Sequence, residues 1–313
     1  MNPDRIKYLD ISKGFALLLM VIGHCSYPLV NKAIFIFHMP LFFIACGYLT
    51  SPFKEFNIKK KINKIIKPYL IVFIISIFPY IYIYGNFDVL WIFPLMKTRT
   101  LFGSDIPFGI GPVWFLPCYF FSNLLANKCC KYISLDKFLI FSLGFFTLFY
   151  IISKIVNGLP FLLVQIFLGS FFIVIGYKCR QQNFLKSSLF VLIGLVSTIA
   201  CLLYGNFSMY SVQCRLWIIQ LVAGIFCSLV VFECAKKVNS LPPLEWLSKN
   251  SLTILCIHSI DWSFGVSAYT IQLLGVSIYL KFFFYCFFIC FGIITINLVK
   301  HFPLKFVRKR LLR

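Results

Sequence analysis

Two ionisable residues enclose the first long apolar stretch of the chain. Lys13 and His24 flank GFALLLMVIG and are eleven positions apart. In a helix they lie on one face, at about 100° per residue, and about 16 Å apart along the axis. A cation binds anions and an imidazole exchanges protons. Polar groups in a membrane helix are costly and are therefore candidates for function. The spacing suggests a channel for a long, negatively charged molecule.

Both residues also have ordinary structural explanations. A lysine near the end of a membrane helix can extend its ammonium group to the interface. A buried histidine can form a hydrogen bond between two helices. The same explanation applies to His38, which lies in the next apolar stretch. Spacing alone leaves the functional and the structural interpretations open.

Two carboxylates accompany these basic residues. Asp10 precedes Lys13 by three positions, so the two side chains can pair on one helix face. His258 and Asp261 have the same spacing in a later apolar stretch. A buried carboxylate needs a cation or hydrogen-bond donors, and His258 is the predicted partner. This second pair is compatible with orienting a substrate, carrying a proton or joining helices.

Composition indicates a membrane protein. The chain is 60% hydrophobic and 12% charged, and its mean hydropathy is +0.90. Charges this sparse cannot cover the surface of a soluble protein of 313 residues. No zinc-like spacing relates the 13 cysteines, so we expect them to pack as small apolar residues and predict no metal site.

The elements that position these residues are predicted to be about ten transmembrane helices. Each apolar stretch is near the length that a hydrocarbon core of about 30 Å requires. We therefore expect an all-α, polytopic integral membrane protein. The predicted spans are 13–30, 34–51, 69–84, 113–128, 137–153, 161–177, 187–204, 215–235, 251–268 and 279–299.

The distribution of basic residues orients these spans. With the N-terminus in the cytoplasm, 24 of the 30 basic residues lie in inner segments and 6 in outer ones. Such an asymmetry predicts that both termini are cytoplasmic. It also explains the net charge of +21, because basic inner loops face anionic lipid. We therefore expect contact with membrane lipids and no nucleic-acid partner.

This orientation gives the histidines a depth. His24 is predicted to lie about 16 Å above the inner edge of the membrane, just beyond the midplane. His38 is predicted to lie roughly 6 Å below the outer edge on the following, antiparallel helix. The two histidines are thus expected to line one cavity in the outer half of the bilayer.

Five segments carry a resemblance to a known family. RIKYLDISKGFALLLMVIGH contains Lys13 and His24, and FIFHMPLFFIACGYL contains His38. These segments resemble the Arg/Lys-x10-His motif and the FHMPLFF-SGY signature of the acyltransferase-3 family of integral membrane O-acyltransferases. Cys46 stands where that family frequently has serine.

The other three segments follow in the family's order. KKKINKIIKPYL resembles its basic stretch before Pro-Tyr, with Lys61 and Lys64 at the paired basic sites. GPVWFLPCYFF, which contains Trp114, and LEWLSKNSLTILCIH, which ends at His258, resemble landmarks of the fucose 4-O-acetylase-like branch. Lysine replaces arginine at the paired sites, which weakens bidentate phosphate binding but keeps the charge.

The resemblance implies transfer of an acetyl group from cytoplasmic acetyl-CoA to a sugar hydroxyl. The acceptor would be a surface polysaccharide, such as O-antigen or capsule, or its lipid-linked precursor. The phosphates of the donor would rest on Arg5, Lys13, Lys61 and Lys64, with Asp10 holding Lys13 in place. The implied location is a bacterial inner membrane. One membrane-embedded domain over residues 1–313, with its motifs in residues 5–258 and no appended soluble domain, is expected.

The predicted geometry then suggests a role for each candidate residue. His24 would deprotonate the acceptor hydroxyl, and His38 would position the acceptor or stabilise the developing oxyanion. Trp114, His258 and Asp261 would contact the acceptor. An acyl-imidazole intermediate, a relay and another short acyl group such as succinyl remain open. The alternative function is a transporter or flippase for a lipid-linked sugar or a small acyl compound. The sequence does not predict the sugar or the oligomeric state.

Overall fold

Helices form nearly all of the computed structural model, which describes residues 6–24, 28–53, 55–84, 111–156, 162–205, 207–209, 213–214, 216–265, 270, 273–275 and 281–301. The only strands in this part of the chain are β1 and β2, Phe207–Ser208 and Gln213–Cys214, which pair antiparallel. The α-helices are α1 (Lys7–Gly23), α2 (Pro28–Leu49), α3 (Ile58–Lys61), α4 (Lys67–Tyr84), α5 (Phe115–Cys129), α6 (Leu135–Ile155), α7 (Leu163–Gln181), α8 (Ser188–Tyr204), α9 (Trp217–Lys236), α10 (Pro242–Lys249), α11 (Ser251–Phe264) and α12 (Lys281–His301).

Three short helical segments connect these elements. A π-helical segment, Ile62–Ile66, joins α3 to α4, and 3-10 turns occur at Gly111–Trp114 and Phe184–Lys186. Asn57, Ser134 and Ser187 precede α3, α6 and α8, and each side chain accepts a hydrogen bond from a first-turn N–H group. Such caps satisfy donors that have no partner inside the helix.

A helix lies at each of the ten predicted span positions. Four of these helices are long and apolar enough to cross a membrane, judged by length and composition: Val30–Leu49, Leu135–Ile155, Leu163–Gln181 and Trp217–Lys236. Shorter apolar helical stretches are Ser188–Tyr204, Ser251–Asp261 and Phe283–Ile294. The helical, membrane-type fold is thus confirmed, while the number of spans stays a prediction.

The first helix lies earlier in the chain than predicted. We expected a helix over 13–30 with His24 inside it, but α1 runs from Lys7 to Gly23 and His24 is its C-cap. The helix begins six residues earlier and includes Asp10, whose tertiary contacts are described below. It stops before Pro28, which opens α2 at a position where proline is favoured. Lys13 therefore lies about 9 Å along α1 rather than at its first turn.

The amphipathic helix α10 was not predicted. Pro242 is its first residue. The Ser240 hydroxyl and the Leu241 N–H group donate to a carboxylate oxygen of Glu245 at 2.9 and 3.2 Å. Both hydrogen bonds lower the pKa of Glu245, and the one from Ser240 has the larger effect. They stabilise the first turn of a helix that has only 8 residues.

Helix α2 occupies the centre of the packing and contacts α1, α7 and α9. Its closest approach is to α7, where Gly47 and Gly176 face each other. A Cβ atom on Gly47 would lie 1.9 Å from the Ile173 carbonyl oxygen, and one on Gly176 would lie 2.1 Å from that of Ile44. Because small residues allow membrane helices to pack closely, this crossing anchors the core.

Large apolar side chains point outward from the peripheral helices. Ile140 on α6, Leu189 on α8 and Phe283 on α12 are 74%, 66% and 64% exposed. Contiguous apolar surface of this kind marks contact with a membrane or another apolar partner. The outward faces of these helices therefore suit a lipid environment.

Candidate active site

The first end of the site is built where α1 meets α10. A Cβ atom on Gly14 would lie only 1.9 Å from the carbonyl oxygen of Leu244 in α10, so the two backbones touch at this glycine. This close approach brings the side chains of α10 next to the polar residues of α1 that are described below. Two distant parts of the sequence thereby form one surface.

Asp10 and Lys13 form the ion pair predicted from their spacing. Lys13 Nζ lies 2.9 Å from Asp10 Oδ1. The same carboxylate oxygen accepts a hydrogen bond of 3.1 Å from the Ser248 hydroxyl of α10. Asp10 is 5% exposed, whereas the side chain of Lys13 keeps 24% of its surface accessible. The carboxylate is thus fixed from two sides and orients a lysine that can still reach a ligand.

Lys61 approaches the same region from the segment after α2. The charges of Lys13 and Lys61 both act on the thiol of Cys46 in α2. Asn123 Nδ2 of α5 donates to that sulfur at 2.9 Å. The Lys61 ammonium lies 5.4 Å from the centre of the Phe56 ring. Two of the four predicted phosphate-binding residues therefore lie within electrostatic range of one thiol.

The other two predicted phosphate-binding residues are Lys64 and Arg5. Lys64 lies in the π-helical segment and its side chain is exposed. Arg5 lies outside the described residues. Lys13 is the lysine that pairs with Asp10 among the described residues.

The second end of the site is formed by aromatic rings around His24. The ring of His258, from α11, lies 5.2 Å from the His24 ring, centre to centre, at an angle of 45°. The Tyr285 ring of α12 lies 5.1 Å from the His258 ring. On the other side Phe35 of α2 lies 6.2 Å from His24 and 5.2 Å from His38. Four helices thus contribute to one cluster, which we call the histidine cluster.

His38 has a defined hydrogen-bonding state. It is 6% exposed, and its Nδ1 lies 3.0 Å from the carbonyl oxygen of Ile34. A carbonyl oxygen only accepts, so Nδ1 must carry the hydrogen. In a neutral ring the remaining nitrogen then has only a lone pair. Of the two roles expected for His38, positioning a hydroxyl remains possible, but donating a hydrogen bond to an oxyanion does not fit.

The predicted pairing of His258 with Asp261 is wrong. Within the described part of the chain, neither ring nitrogen of His258 has a hydrogen-bond partner, and the ring is 0% exposed. Its ring packs instead against His24 and Tyr285. Asp261, one turn further along α11, is 6% exposed and has other interactions. Helical spacing permits an i, i+3 contact, but packing of α11 against α1 and α12 turns His258 toward other partners.

Trp114 is buried in the core rather than exposed toward an acceptor. It is 7% exposed and ends the 3-10 turn Gly111–Trp114. That turn packs against α11, the helix that carries His258. Trp114 itself belongs to the buried apolar cluster that contains Phe43 and Phe172.

Sequence reasoning missed Ser248, Tyr285 and the contact between His24 and His258. Ser248 is 238 positions from Asp10, and no local pattern relates them. Tyr285 is the hydroxyl-bearing ring in the apolar segment FFFYCFF, which was the one available signal. The segment LEWLSKNSLTILCIH contains Ser248 and ends at His258, but nothing in it indicates that these residues contact Asp10 and His24.

The arrangement has two ends on one helix. Lys13, oriented by Asp10, lies at one end, and the histidine cluster lies at the C-cap of α1, about 16 Å further along the axis. Cations in an apolar surrounding bind phosphate, and imidazoles exchange protons. The site can therefore hold the anionic end of an elongated molecule while a proton-transfer reaction occurs at its other end.

Comparison with known proteins identifies the family. The family model of the acyltransferase-3 family, described as an acyltransferase domain, matches residues 6–299. This match and the apolar helices indicate a membrane acyltransferase. The chain belongs to the acyltransferase-3 family. No curated protein and no solved structure matches the chain.

Proposed function

We propose that this chain transfers an acetyl group from cytoplasmic acetyl-CoA to a hydroxyl of a surface polysaccharide or of its lipid-linked sugar precursor. The observation that carries the proposal is the spacing of the Asp10–Lys13 ion pair and the histidine cluster on α1. Coenzyme A has phosphates at one end and a thioester at the other, joined by an extended arm. An arm of this kind suits two chemically different ends separated by about three helical turns.

Each residue then has a defined task. Lys13 and Lys61 bind phosphate oxygens, and Asp10, held by Ser248, orients Lys13. His24 accepts the proton of the acceptor hydroxyl as that oxygen attacks the acetyl group. The proposal includes a bacterial inner membrane with both termini in the cytoplasm, which places the lysines on the side where acetyl-CoA is found.

The first experiment replaces the proposed base. Membranes from cells that produce the His24→Ala variant are incubated with radiolabelled acetyl-CoA, and label in glycan is counted. We expect activity to fall by at least about 100-fold, because general bases contribute about 10²–10⁴ in rate. Ser12→Ala is the control, since the Ser12 hydroxyl only bonds the Tyr8 carbonyl of its own helix. Full activity of His24→Ala at equal membrane levels would refute the assignment.

A second measurement distinguishes the enzyme from a transporter. Acetyl-CoA should raise the thermal unfolding temperature of the purified full chain. Proton-coupled uptake of a sugar or acyl compound, without acetyl-CoA binding, would identify the alternative function. Glycan analysis of cells with and without the chain should then show the loss of one O-acetyl group, which identifies the acceptor.

A further inference from the structure

A buried histidine with both nitrogens unsatisfied is unusual. His258 is 0% exposed, and neither Nδ1 nor Nε2 has a hydrogen-bond partner among the described residues. A neutral imidazole contains one donor and one acceptor, and leaving such a group unpaired in the interior costs about 1–3 kcal/mol. Beside a proposed catalytic base, such a group is a candidate for contact with a partner that is bound only during function.

The surroundings of His258 locate that partner. Its ring lies beside the ring of His24, the proposed base, and beside Tyr285. The same helix face contributes Ile254 and Leu255, which belong to an apolar cluster and are 1% and 6% exposed. A hydrogen bond in such an apolar site is electrostatically stronger than one in water. A reacting group next to His24 would therefore lie beside the ring of His258.

His38 cannot supply the same interaction. Its Nδ1 hydrogen is bound by the Ile34 carbonyl, so its other nitrogen is an acceptor. Neither ring nitrogen of His258 has a hydrogen-bond partner among the described residues, so either nitrogen can carry the hydrogen. Of these two histidines, only His258 is available in the neutral form to donate to an oxygen that becomes negative.

We propose that His258 is a catalytic residue that donates a ring N–H to the carbonyl oxygen of the acetyl group. This assignment rests on the proposed function. His24 takes the proton of the acceptor hydroxyl, whose oxygen forms a bond to the carbonyl carbon. His258 stabilises the negative charge that develops on the carbonyl oxygen. The carbon–sulfur bond then breaks, and the leaving thiolate of coenzyme A receives the proton from His24.

Two substitutions separate catalysis from packing. His258→Phe keeps an aromatic ring against His24 and Tyr285 but has no donor, and His258→Gln keeps an N–H donor. In the radiolabelled transfer assay we expect His258→Phe to lose about 10²–10³-fold in rate, as removal of an oxyanion donor does. His258→Gln should recover part of that loss. A histidine that only packs would give a fully active Phe variant.

Ser259→Ala is the matched control. Ser259 neighbours His258 on α11, is 0% exposed, and its hydroxyl has no partner in the described chain. Removing this hydroxyl should leave transfer unchanged. A loss in Ser259→Ala as large as that in His258→Phe would overturn the assignment, because the effect would then follow from disturbing α11.

A binding measurement tests the contact without the unknown acceptor. Acetyl-CoA and S-ethyl-CoA differ at the carbonyl oxygen, and their dissociation constants are compared with the purified full chain. Wild type should prefer acetyl-CoA, and His258→Phe should lose that preference while still binding both. An unchanged preference in His258→Phe overturns the His258 assignment alone. Failure of wild type to bind either compound overturns the proposed function, and the assignment falls with it.

Discussion

At the scale of single residues, the buried carboxylate of Asp10 is stabilised by its neighbours and in turn positions Lys13. A carboxylate that is 5% exposed requires compensation, and Lys13 and Ser248 supply it through one oxygen. The hydrogen bond from Ser248 is charge-assisted and therefore stronger than a neutral one. It fixes the carboxylate, which in turn limits the positions that the Lys13 ammonium can adopt.

Removing the Ser248 hydroxyl should weaken donor binding. A hydrogen bond to a charged group contributes about 1.5–3 kcal/mol. We therefore expect Ser248→Ala to raise the dissociation constant of coenzyme A about tenfold or more, as measured by thermal stabilisation. Ser170→Ala is the control, because the Ser170 hydroxyl only bonds the Phe167 carbonyl of its own helix. Equal affinities of the two variants would contradict the role of Ser248.

At the scale of helices, the site depends on the contact between α1 and α10. The donor end of the site exists because Gly14 lets the Leu244 backbone approach α1. The histidine cluster requires α1, α2, α11 and α12 to meet at the other end. An element displaced by an ångström would separate groups that act together, so helix packing controls the chemistry.

Two glycine-to-alanine substitutions should have opposite effects. At Gly14 a methyl group would lie 1.9 Å from a backbone oxygen, so the helices must separate at a cost of about 1–3 kcal/mol. At Gly144, in α6, nothing lies within 4 Å of the added carbon. Alanine there should stabilise by about 0.5–1 kcal/mol, because glycine weakens a helix. Thermal unfolding of both variants in detergent shows whether each substitution raises or lowers the stability of the protein. A neutral Gly14→Ala variant would show that α1 and α10 are not in tight contact.

At the scale of the whole molecule, the outer surface is as informative as the site. Only 22% of the apolar stretch of α6 is buried, although α6 is among the helices that are long enough to span a membrane. An apolar, exposed helix is stable in lipid and a liability in water. The basic residues predicted for the inner side would fit the same picture by facing anionic lipid.

A charge on the outer face of α6 should disrupt membrane insertion. Leu148, near the middle of α6, is 49% exposed, and Leu148→Arg places a cation in hydrocarbon. Insertion scales give about 2.5–3.5 kcal/mol for such a residue at a helix centre. Tyr132→Arg is the control, because Tyr132 is 87% exposed in the turn before α6. The amount of protein in the membrane fraction is measured for both. Normal insertion of Leu148→Arg would argue against lipid contact at this face.

The apolar pattern of the sequence by itself determined the helical class, the approximate helix positions, and the pairing of Asp10 with Lys13. These features depend on the composition and on the period of one helix, which are local properties. Only the tertiary structure decided where α1 ends, and that Ser248 holds Asp10. It alone decided that His258 faces His24 instead of Asp261. The physical reason is that contacts between distant helices follow from how their surfaces interlock, and spacing along one chain does not encode which faces meet.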